Sequence, residues 1–215
     1  MYLFQPERYL LQKQIQKASP HIRGRVLDVG SGTFARYKRL FRFSEYVTMD
    51  IQESECVDVV GSADQIPFPD NSFDSLISTQ VLGDIMDPQK AVSEFHRVLK
   101  KGGTAVITES FINEMHDEPY DYWRFTRYGF ELLFKETGFT VIDIDQRGGY
   151  FSSRAQEAIR YLIDRLALYR RPWGRIMNPL FTAYGRWMIF LDSIDTSSAN
   201  RKHALGWCVI ARKDR

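Results

Sequence analysis

Short apolar runs alternate with longer amphipathic stretches along most of this chain. A short apolar run between turn residues is typical of a buried strand, and apolar residues recurring every three or four positions are typical of a helix. The pattern predicts strands at 25–29, 46–49, 57–60, 73–78, 104–108, 139–145 and 204–211. It predicts helices at 10–18, at 36–41, at 88–99 and from about 126 or 128 to 137. Strands that alternate with helices predict an α/β fold with a doubly wound, mostly parallel seven-stranded sheet.

Residues with special backbone preferences set the expected ends of two helices. Asp87 and Pro88 suit the cap and first turn of the helix that ends at Leu99, and the glycine pair at 102–103 suits its end. Gly138 is expected to end the helix that precedes the sixth strand.

A helical insertion is predicted at 148–203, before the last strand, because the segment is too long for a hairpin loop. Its first helix, over 154–169, carries one apolar stripe. Its second helix is expected to begin with Asn178 as cap and Pro179 in the first turn, and to end at Leu191. That stretch is too short to span a bilayer and contains Arg186. Three roles stay open: a lid over the substrate pocket, a homodimer contact, or a peripheral surface that rests on anionic lipid.

The end of the first strand carries the strongest chemical signal. Residues 26–32 read VLDVGSG, an apolar run that ends in an acidic residue and two glycines. Glycines at a strand-to-helix turn let a ligand approach backbone N–H groups, so this turn predicts a nucleotide-type cofactor site. The Gly-x-Gly-x-x-Ala spacing at 30–35 also fits dinucleotide binding. Asp28 argues against a dinucleotide, because its carboxylate would repel a pyrophosphate but attract a cationic amine.

Three segments in order resemble the class I S-adenosylmethionine (SAM) dependent methyltransferases, in particular their small-molecule branch. They are this glycine turn, PFPDNSFD at 67–74 and EFHRVLKKGG at 94–103. The resemblance covers roughly 24–145 and implies a Rossmann-like methyltransferase fold, SAM as cofactor, and a last strand that runs antiparallel beside the sixth. Phe34 stands where many members of the family have a third glycine, so the loop is bulkier here. A nicotinamide-dependent oxidoreductase and a degenerate SAM-binding module without activity are the competing interpretations.

Cofactor residues are expected at the carboxyl ends of the strands, where open α/β sheets bind ligands. Asp50 ends the second strand, and its carboxylate can accept hydrogen bonds from both ribose hydroxyls. By resemblance, Asp28 and the glycines surround the methionine part of SAM, while Ser62 or Asp64 contacts adenine. Gln80 lies beside the cofactor or is an ordinary loop residue. The full predicted set is Asp28, Gly30, Ser31, Gly32, Asp50, Ile51, Ser62, Ala63, Asp64 and Gln80.

The loop after the fifth strand is dense in groups that can assist methyl transfer. SAM carries an activated methyl group, so the protein must mainly place a nucleophile and remove its proton. His116 is the predicted general base, with Asp117 orienting it. Tyr120 and Tyr122 are predicted to bind a substrate oxygen, and Arg124 to neutralise a substrate anion. The alternative is a structural lid whose aromatic residues pack and whose Thr126 caps the next helix.

The same loop resembles that of bacterial methyltransferases linked to cell-surface glycan synthesis. This resemblance names no substrate, and the expected acceptor is a small molecule or a lipid- or glycan-linked molecule. The sequence is therefore interpreted as a SAM-dependent methyltransferase that prefers O-methylation to N- or C-methylation.

Composition adds an asymmetry of charge. The first 146 residues carry 16 Lys and Arg against 22 Asp and Glu, whereas the rest carry 13 against 5. No nucleic-acid recognition motif accompanies the basic part, so no nucleic acid partner is expected. Cys56 and Cys208 lack neighbours at metal spacing, which predicts free thiols and no metal site. The 215 residues are expected to form one methyltransferase domain in the cytoplasm, with the inner face of the membrane as a second location.

Overall fold

The computed structural model describes residues 2–214, which form a seven-stranded sheet and six α-helices. The strands are β1 (Arg25–Val29), β2 (Glu45–Asp50), β3 (Val59–Val60), β4 (Phe73–Thr79), β5 (Leu99–Ser110), β6 (Phe139–Arg147) and β7 (Gly206–Lys213). The α-helices are α1 (Pro6–Ala18), α2 (Pro88–Val98), α3 (Arg127–Glu136), α4 (Tyr150–Arg165), α5 (Trp173–Ile194) and α6 (Ser198–Arg201).

The sheet has the order β3-β2-β1-β4-β5-β7-β6. β1 lies in the interior of the sheet, where it pairs in parallel with β2 and β4, and four of its five residues are buried. β4 in turn pairs in parallel with β5. Since the strand order reverses between β1 and β4, a ligand crevice is expected outside their carboxyl ends.

β7 runs antiparallel to β5. Lys213 ends β7, and its Nζ donates to the carbonyl oxygen of Leu99, which begins β5, over 2.8 Å. At the other end, the backbone N–H of Phe111, just after β5, donates to the carbonyl of Leu205, just before β7. β7 also lies next to β6 in the sheet. The predicted fold class, a mostly parallel sheet with an antiparallel last strand, is confirmed.

The chain divides into two compact units. The sheet unit comprises residues 15–110, 115–145 and 207–214, and the helical unit comprises residues 2–14, 111–114 and 146–206. The helical unit contains the predicted insertion at 148–203 and adds the N-terminal segment to it. Its core is built from Leu3, Phe4, Ile159, Ile163, Leu168 and Phe181.

Two predictions about the sheet unit are wrong. Residues 36–41 do not form an α-helix; 3-10 turns occur at Gly32–Phe34 and Lys38–Leu40, because Ala35 adopts a left-handed conformation with φ 41°. The glycine pair at 102–103 does not end a helix, since α2 ends at Val98 and β5 has already begun. Gly102, with φ 78°, lies inside β5 where the register with β4 shifts. The predicted caps Asp87 and Thr126 are confirmed, since their side chains accept from the third residue of α2 and of α3.

Both long helices of the helical unit begin earlier than predicted. α5 starts at Trp173, and Pro179 lies inside it. Asn178 does not cap this helix; its Oδ1 accepts from the backbone N–H of Phe4 over 2.7 Å. α4 starts at Tyr150 and ends before Ala167, whose φ of 49° terminates the helix.

The early start of α4 has a tertiary cause. Asp192 of α5 accepts from the backbone N–H groups of Gly149, Phe151 and Ser152 over 3.0, 3.0 and 2.9 Å. The first N–H groups of a helix have no partner within the helix, and a carboxylate also suits the positive end of its dipole. One side chain on α5 therefore fixes where α4 begins.

We expect the substitution Asp192→Ala to lower the free energy of unfolding by about 1–3 kcal/mol, since three helix-terminal N–H groups lose their acceptor. Urea unfolding followed by circular dichroism measures the change. Asp164→Ala is the matched control, because it removes an exposed carboxylate of α4 that pairs with Arg160, and it should cost no more than about 0.5 kcal/mol. Equal losses for the two variants would contradict the capping role.

Candidate functional site

A cavity of about 710 Å³ lies in the sheet unit, at the carboxyl ends of β1, β2 and β4. It brings together ten residues predicted for the site: Gly30, Gly32, Asp50, Ile51, Ser62, Ala63, Asp64, Asp117, Tyr120 and Tyr122. Sequence reasoning missed eight others in its wall: Thr33, Gln52, Gly61, Val81, Asp84, Ile85, Met86 and Glu118. Most of the missed residues directly neighbour predicted ones, so the strand-end rule located the wall but not its full extent.

The glycine turn is shaped by close packing and by backbone conformation. Gly30 has φ 72°, and a Cβ at this position would lie 2.2 Å from a methyl carbon of Val81. Gly32 also has a positive φ, 62°, but open space around it. Ser31 lies between them, and its backbone N–H donates to the carbonyl of Met49 over 3.2 Å. A side chain at position 30 would therefore collide with the loop after β4.

Asp50 holds the glycine turn against the end of β2. Its Oδ2 accepts from the backbone N–H of Gly32 over 2.9 Å, and its Oδ1 accepts from the N–H of Gln52 over 2.9 Å. A carboxylate offers roughly four acceptor positions, so two backbone bonds leave capacity for a ligand. Asp50 also lies in the cavity wall, which is where the predicted ribose contact requires it.

Asp28 is buried on β1 below the glycine turn. Its Oδ2 accepts from the hydroxyl of Tyr46 over 2.7 Å, and burial raises the pKa of the carboxyl to about 7. Its predicted contact with the amino group of the cofactor stays a prediction. Gln80 bridges β4 to β5: its backbone N–H donates to Thr108, and its Oε1 accepts from Ser110 over 2.5 Å. These bonds give Gln80 a structural role.

Two alternatives for the adenine end lie together in the wall. The hydroxyl of Ser62 donates to Asp64, and this bond is the main reason that the pKa of Asp64 is lowered. Lys90 also contacts Asp64, with 3.4 Å between Nζ and Oδ2. Phe34, the bulky departure in the glycine turn, is 79% exposed and lines a separate cavity of about 500 Å³. Phe34 therefore does not occupy the main cavity.

Residues 116–124, called the lid segment here, are tied to the loop after β4. The backbone N–H groups of Tyr122 and Trp123 both donate to the carbonyl of Gly83, over 2.9 and 3.0 Å. The indole N–H of Trp123 donates to the carbonyl of Ile85 over 3.0 Å. Tyr120 is 61% exposed, although it lines the cavity. The lid segment thus forms one wall of the cavity.

The polar contacts within the lid segment differ from the predicted ones. Asp121 receives both terminal nitrogens of Arg124, one of them over 2.7 Å to Oδ2, and this pairing lowers the pKa of Asp121 to about 2. Asp121 also accepts from the backbone N–H of His116 over 3.1 Å. Asp121 therefore contacts both His116 and Arg124, whereas the predicted orientation of His116 by Asp117 stays a prediction. Asp121 balances the charge of Arg124 within the protein, and the predicted role of Arg124 towards a substrate anion also stays a prediction.

The contact with Arg124 favours one tautomer of His116. The Arg124 nitrogen Nη2 lies 3.3 Å from Nδ1 of His116. A guanidinium can only donate hydrogen bonds, so this contact favours the tautomer in which Nδ1 accepts and Nε2 carries the hydrogen. In that tautomer Nε2 is a hydrogen-bond donor, and a carboxylate is the better proton acceptor.

Asp84 is the most informative residue that sequence reasoning missed. Its Oδ1 is buried and has no hydrogen-bond partner among residues 2–214, although the residue lines the cavity. The pKa of Asp84 is raised to about 6, mainly by burial; Asp117 and Asp121 also raise it, while His116 and Arg124 lower it. A buried carboxylate oxygen without a partner is costly, and such groups concentrate at functional sites. Its position in the loop directly after β4 is the sequence signal that could have identified it as a site residue.

Asp84, His116 and Asp121 have potential ligand atoms within 4.8 Å of one another. Such a cluster could hold a metal ion in principle. Because the guanidinium of Arg124 already occupies both oxygens of Asp121, we interpret the cluster as an ion-pair network. Glu109 shapes the adjoining loop, since its Oε1 accepts from the backbone N–H groups of Val81 and Leu82 over 2.8 and 2.6 Å.

The cavity fits the chemistry of SAM. Gly30 and Gly32 line the cavity where the methionine part is expected, and Asp50 offers acceptors for ribose hydroxyls. Carboxylates also favour a ligand that carries positive charge. At the opposite wall, Asp84 and the lid segment supply proton acceptors and donors.

Comparison with known proteins points to the same family. A family model described as a methyltransferase domain matches residues 27–107. A protein of Methanocaldococcus jannaschii is 26% identical over 76% of this chain and 82% of its own length. The ubiquinone/menaquinone biosynthesis C-methyltransferase UbiE of Pasteurella multocida is 30% identical over 67% of this chain. This match spans 56% of the UbiE chain.

The fold comparison agrees. Phosphoethanolamine N-methyltransferase 2 of Haemonchus contortus, solved with SAM, superposes with a TM-score of 0.59 at 20% identity. The match covers 95% of this chain and 52% of that one. The family match makes SAM the cofactor of this chain. The cavity at the strand ends is the candidate site for it.

We expect Asp84→Asn to stabilise the protein at about pH 7.5 and to change its stability little at about pH 4. The pKa of Asp84 is raised from 3.8 to about 6 by folding, so the folded chain binds this proton more tightly than the unfolded chain. The ionised carboxylate therefore opposes folding above pH 6, and this opposition disappears as the pH falls towards 4.

Urea midpoints of both proteins at the two pH values measure this effect. Asp143→Asn, an exposed position on β6, is the control and should change neither midpoint. A lower urea midpoint for Asp84→Asn than for the wild type at the higher pH would contradict the conclusion that the ionised carboxylate opposes folding.

Proposed function

Since this chain belongs to the class I S-adenosylmethionine-dependent methyltransferases, we propose that it transfers the methyl group of SAM to a hydroxyl group of a small-molecule, lipid-linked or glycan-linked acceptor. The observation that carries the proposal is the cavity at the strand ends. One of its walls suits a nucleoside with a cationic amino acid part, and the other carries groups that handle protons.

The chain's own residues divide the work of binding. Asp50 accepts the ribose hydroxyls while it keeps Gly32 in place. Gly30 admits the methionine part, and Ser62 or Asp64 contacts adenine. When bound, SAM supplies an electrophilic methyl group, so the protein needs no further cofactor to activate it.

Proton removal is the step that these residues must assist for a hydroxyl acceptor. Asp84 is placed to accept the proton, because its buried oxygen has no competing partner among the described residues. His116 does not line the cavity but has a ring nitrogen within 4.8 Å of Asp84, and we propose that its Nε2–H donates to the acceptor oxygen. Tyr120 and Tyr122 line the same cavity and can donate to that oxygen. The earlier assignment of His116 as the base remains the competing hypothesis.

C-methylation is the second candidate, favoured by the similarity to UbiE proteins, which are C-methyltransferases. Incubation of candidate acceptors with methyl-labelled SAM, followed by NMR of the product, distinguishes methyl groups on oxygen from those on carbon. SAM binding without transfer to any acceptor would favour a degenerate binding module. Binding of NADH without SAM would favour the oxidoreductase.

The helical unit supports a further part of the proposal. Among the described residues, every helix is too short or too polar to cross a bilayer. We propose a cytoplasmic chain whose residues 154–191 make a peripheral contact with the membrane that holds a lipid-linked acceptor. A homodimer through the same residues is the alternative.

We expect Asp50→Ala to weaken SAM binding by about 1.5–3 kcal/mol for each charged hydrogen bond lost. The released Gly32 N–H adds to this loss, because the glycine turn is no longer held. Isothermal titration calorimetry with SAM measures the effect, and circular dichroism checks the fold. Asp143→Ala, which removes an exposed carboxylate of β6, should bind SAM as the wild type does. Undiminished affinity in Asp50→Ala would refute the ribose contact.

We expect Asp84→Asn to lower turnover by about a hundredfold or more and to leave SAM affinity nearly unchanged. Burial raises the pKa of Asp84 to about 6, so wild-type turnover should fall below that pH, and the variant should lack this dependence. His116→Ala is compared in parallel. If His116→Ala alone removes the pH dependence, the base is His116. If neither variant changes turnover, the role passes to Tyr120, Tyr122 or the acceptor itself.

A further inference from the structure

α5 buries one face and exposes another that is strongly apolar. Phe181 and Gly185 are buried, and Met177 and Ile189 pack against the core of the helical unit. On a different face, large apolar side chains recur every three or four residues and are between 42% and 62% exposed. We call them the α5 stripe: Trp173, Ile176, Leu180, Tyr184, Trp187 and Phe190.

The α5 stripe extends along nearly the whole helix. α5 has 22 residues, which corresponds to about 33 Å of helix. Trp187 and Phe190 also touch each other, with ring centroids 5.5 Å apart. Single exposed apolar residues are common, but a continuous patch of this size usually marks an interaction surface. Tryptophan and tyrosine in particular suit a boundary between apolar and aqueous surroundings.

Basic residues accompany the stripe. Arg170 and Arg171 precede α5, Arg175 and Arg186 lie on it, and all four are exposed. The only acidic residue in the sequence of α5 is Asp192, whose carboxylate is bound to the N-terminus of α4. The helical unit as a whole carries 12 Lys and Arg against 6 Asp and Glu. The partner of this surface should therefore be apolar and negatively charged.

We propose that the α5 stripe binds the surface of an anionic lipid bilayer, with α5 parallel to the membrane plane. Its apolar side chains enter the boundary between headgroups and acyl chains, and the flanking arginines contact lipid phosphates. This inference deepens the lipid-linked part of the proposed function. A second copy of the chain is a poorer partner, because a two-fold interface would bring together the same arginines from both copies without opposing acids.

The test is sedimentation of the full chain with vesicles of phosphatidylcholine alone, or with about one third phosphatidylglycerol, at about 0.05 and 0.5 M salt. We expect binding to the anionic vesicles, a decrease at high salt, and a blue shift of tryptophan emission on binding. Leu180→Asn should weaken binding about tenfold, because a buried leucine is lost. Ser193→Asn, an exposed position on α5 outside the stripe, should bind as the wild type does. Arg175→Gln should weaken binding about fivefold at low salt.

Analytical ultracentrifugation without lipid completes the experiment. A wild-type dimer that Leu180→Asn converts to a monomer, together with absence of vesicle binding, would overturn the proposal in favour of a homodimer face. A monomer that binds neither kind of vesicle would also overturn it. Equal weakening by Leu180→Asn and Ser193→Asn would show that the stripe is not the contact. None of these readouts requires methyl transfer. The lipid-binding proposal can therefore hold if the proposed reaction is refuted, and the proposed reaction can hold if lipid binding is refuted.

Discussion

The cofactor site depends on the hydrogen bond between the carboxylate of Asp50 and the glycine turn. Asp50 ends a parallel strand next to the point where the strand order reverses, and it binds the N–H of Gly32 from the neighbouring strand end. The glycine turn cannot move away from this position without losing that bond, nor move towards β4, where Val81 fills the space next to Gly30. The turn is therefore held from both sides, and an open cavity remains in front of it.

The same constraint explains how far the sequence predicted the site. The strand ends follow from apolar runs, so the residues that come directly after them could be placed in one cavity from the sequence alone. The sequence could not show which carboxylate pairs with which base. Asp117 and Asp121 are equally plausible neighbours of His116 in the sequence, and only the fold of the lid segment shows that Asp121 accepts from the His116 backbone. Gln80 similarly turns to Ser110, a residue 30 positions away.

Two helix boundaries in the helical unit were predicted wrongly for a related reason. Asn178-Pro179 is a good local signal for the start of a helix, but the segment before it continues the helix and Asn178 bonds to Phe4. α4 begins where Asp192, more than forty residues away in sequence, supplies acceptors for its first N–H groups. In both cases a tertiary contact overrides the local preference. The sheet unit was predicted better, because continuous apolar runs require burial on both faces whatever their neighbours are.

The hydrogen bonds of the buried and half-buried carboxylates separate structural roles from functional ones. Asp192 and Glu109 each accept from backbone N–H groups, Asp28 from a tyrosine hydroxyl, and Asp121 from an arginine. Each of these groups is satisfied by the fold and stabilises the segment that it binds. Asp84 differs, because its buried oxygen has no partner among the described residues and its ionised form opposes folding. The fold satisfies these four carboxylates but leaves Asp84, which lines the cofactor cavity, with a buried oxygen that has no partner among the described residues. The ionised form of Asp84 therefore lowers the stability of the protein, and a bound ligand can relieve this cost. That is the physical reason to assign Asp84 to the reaction.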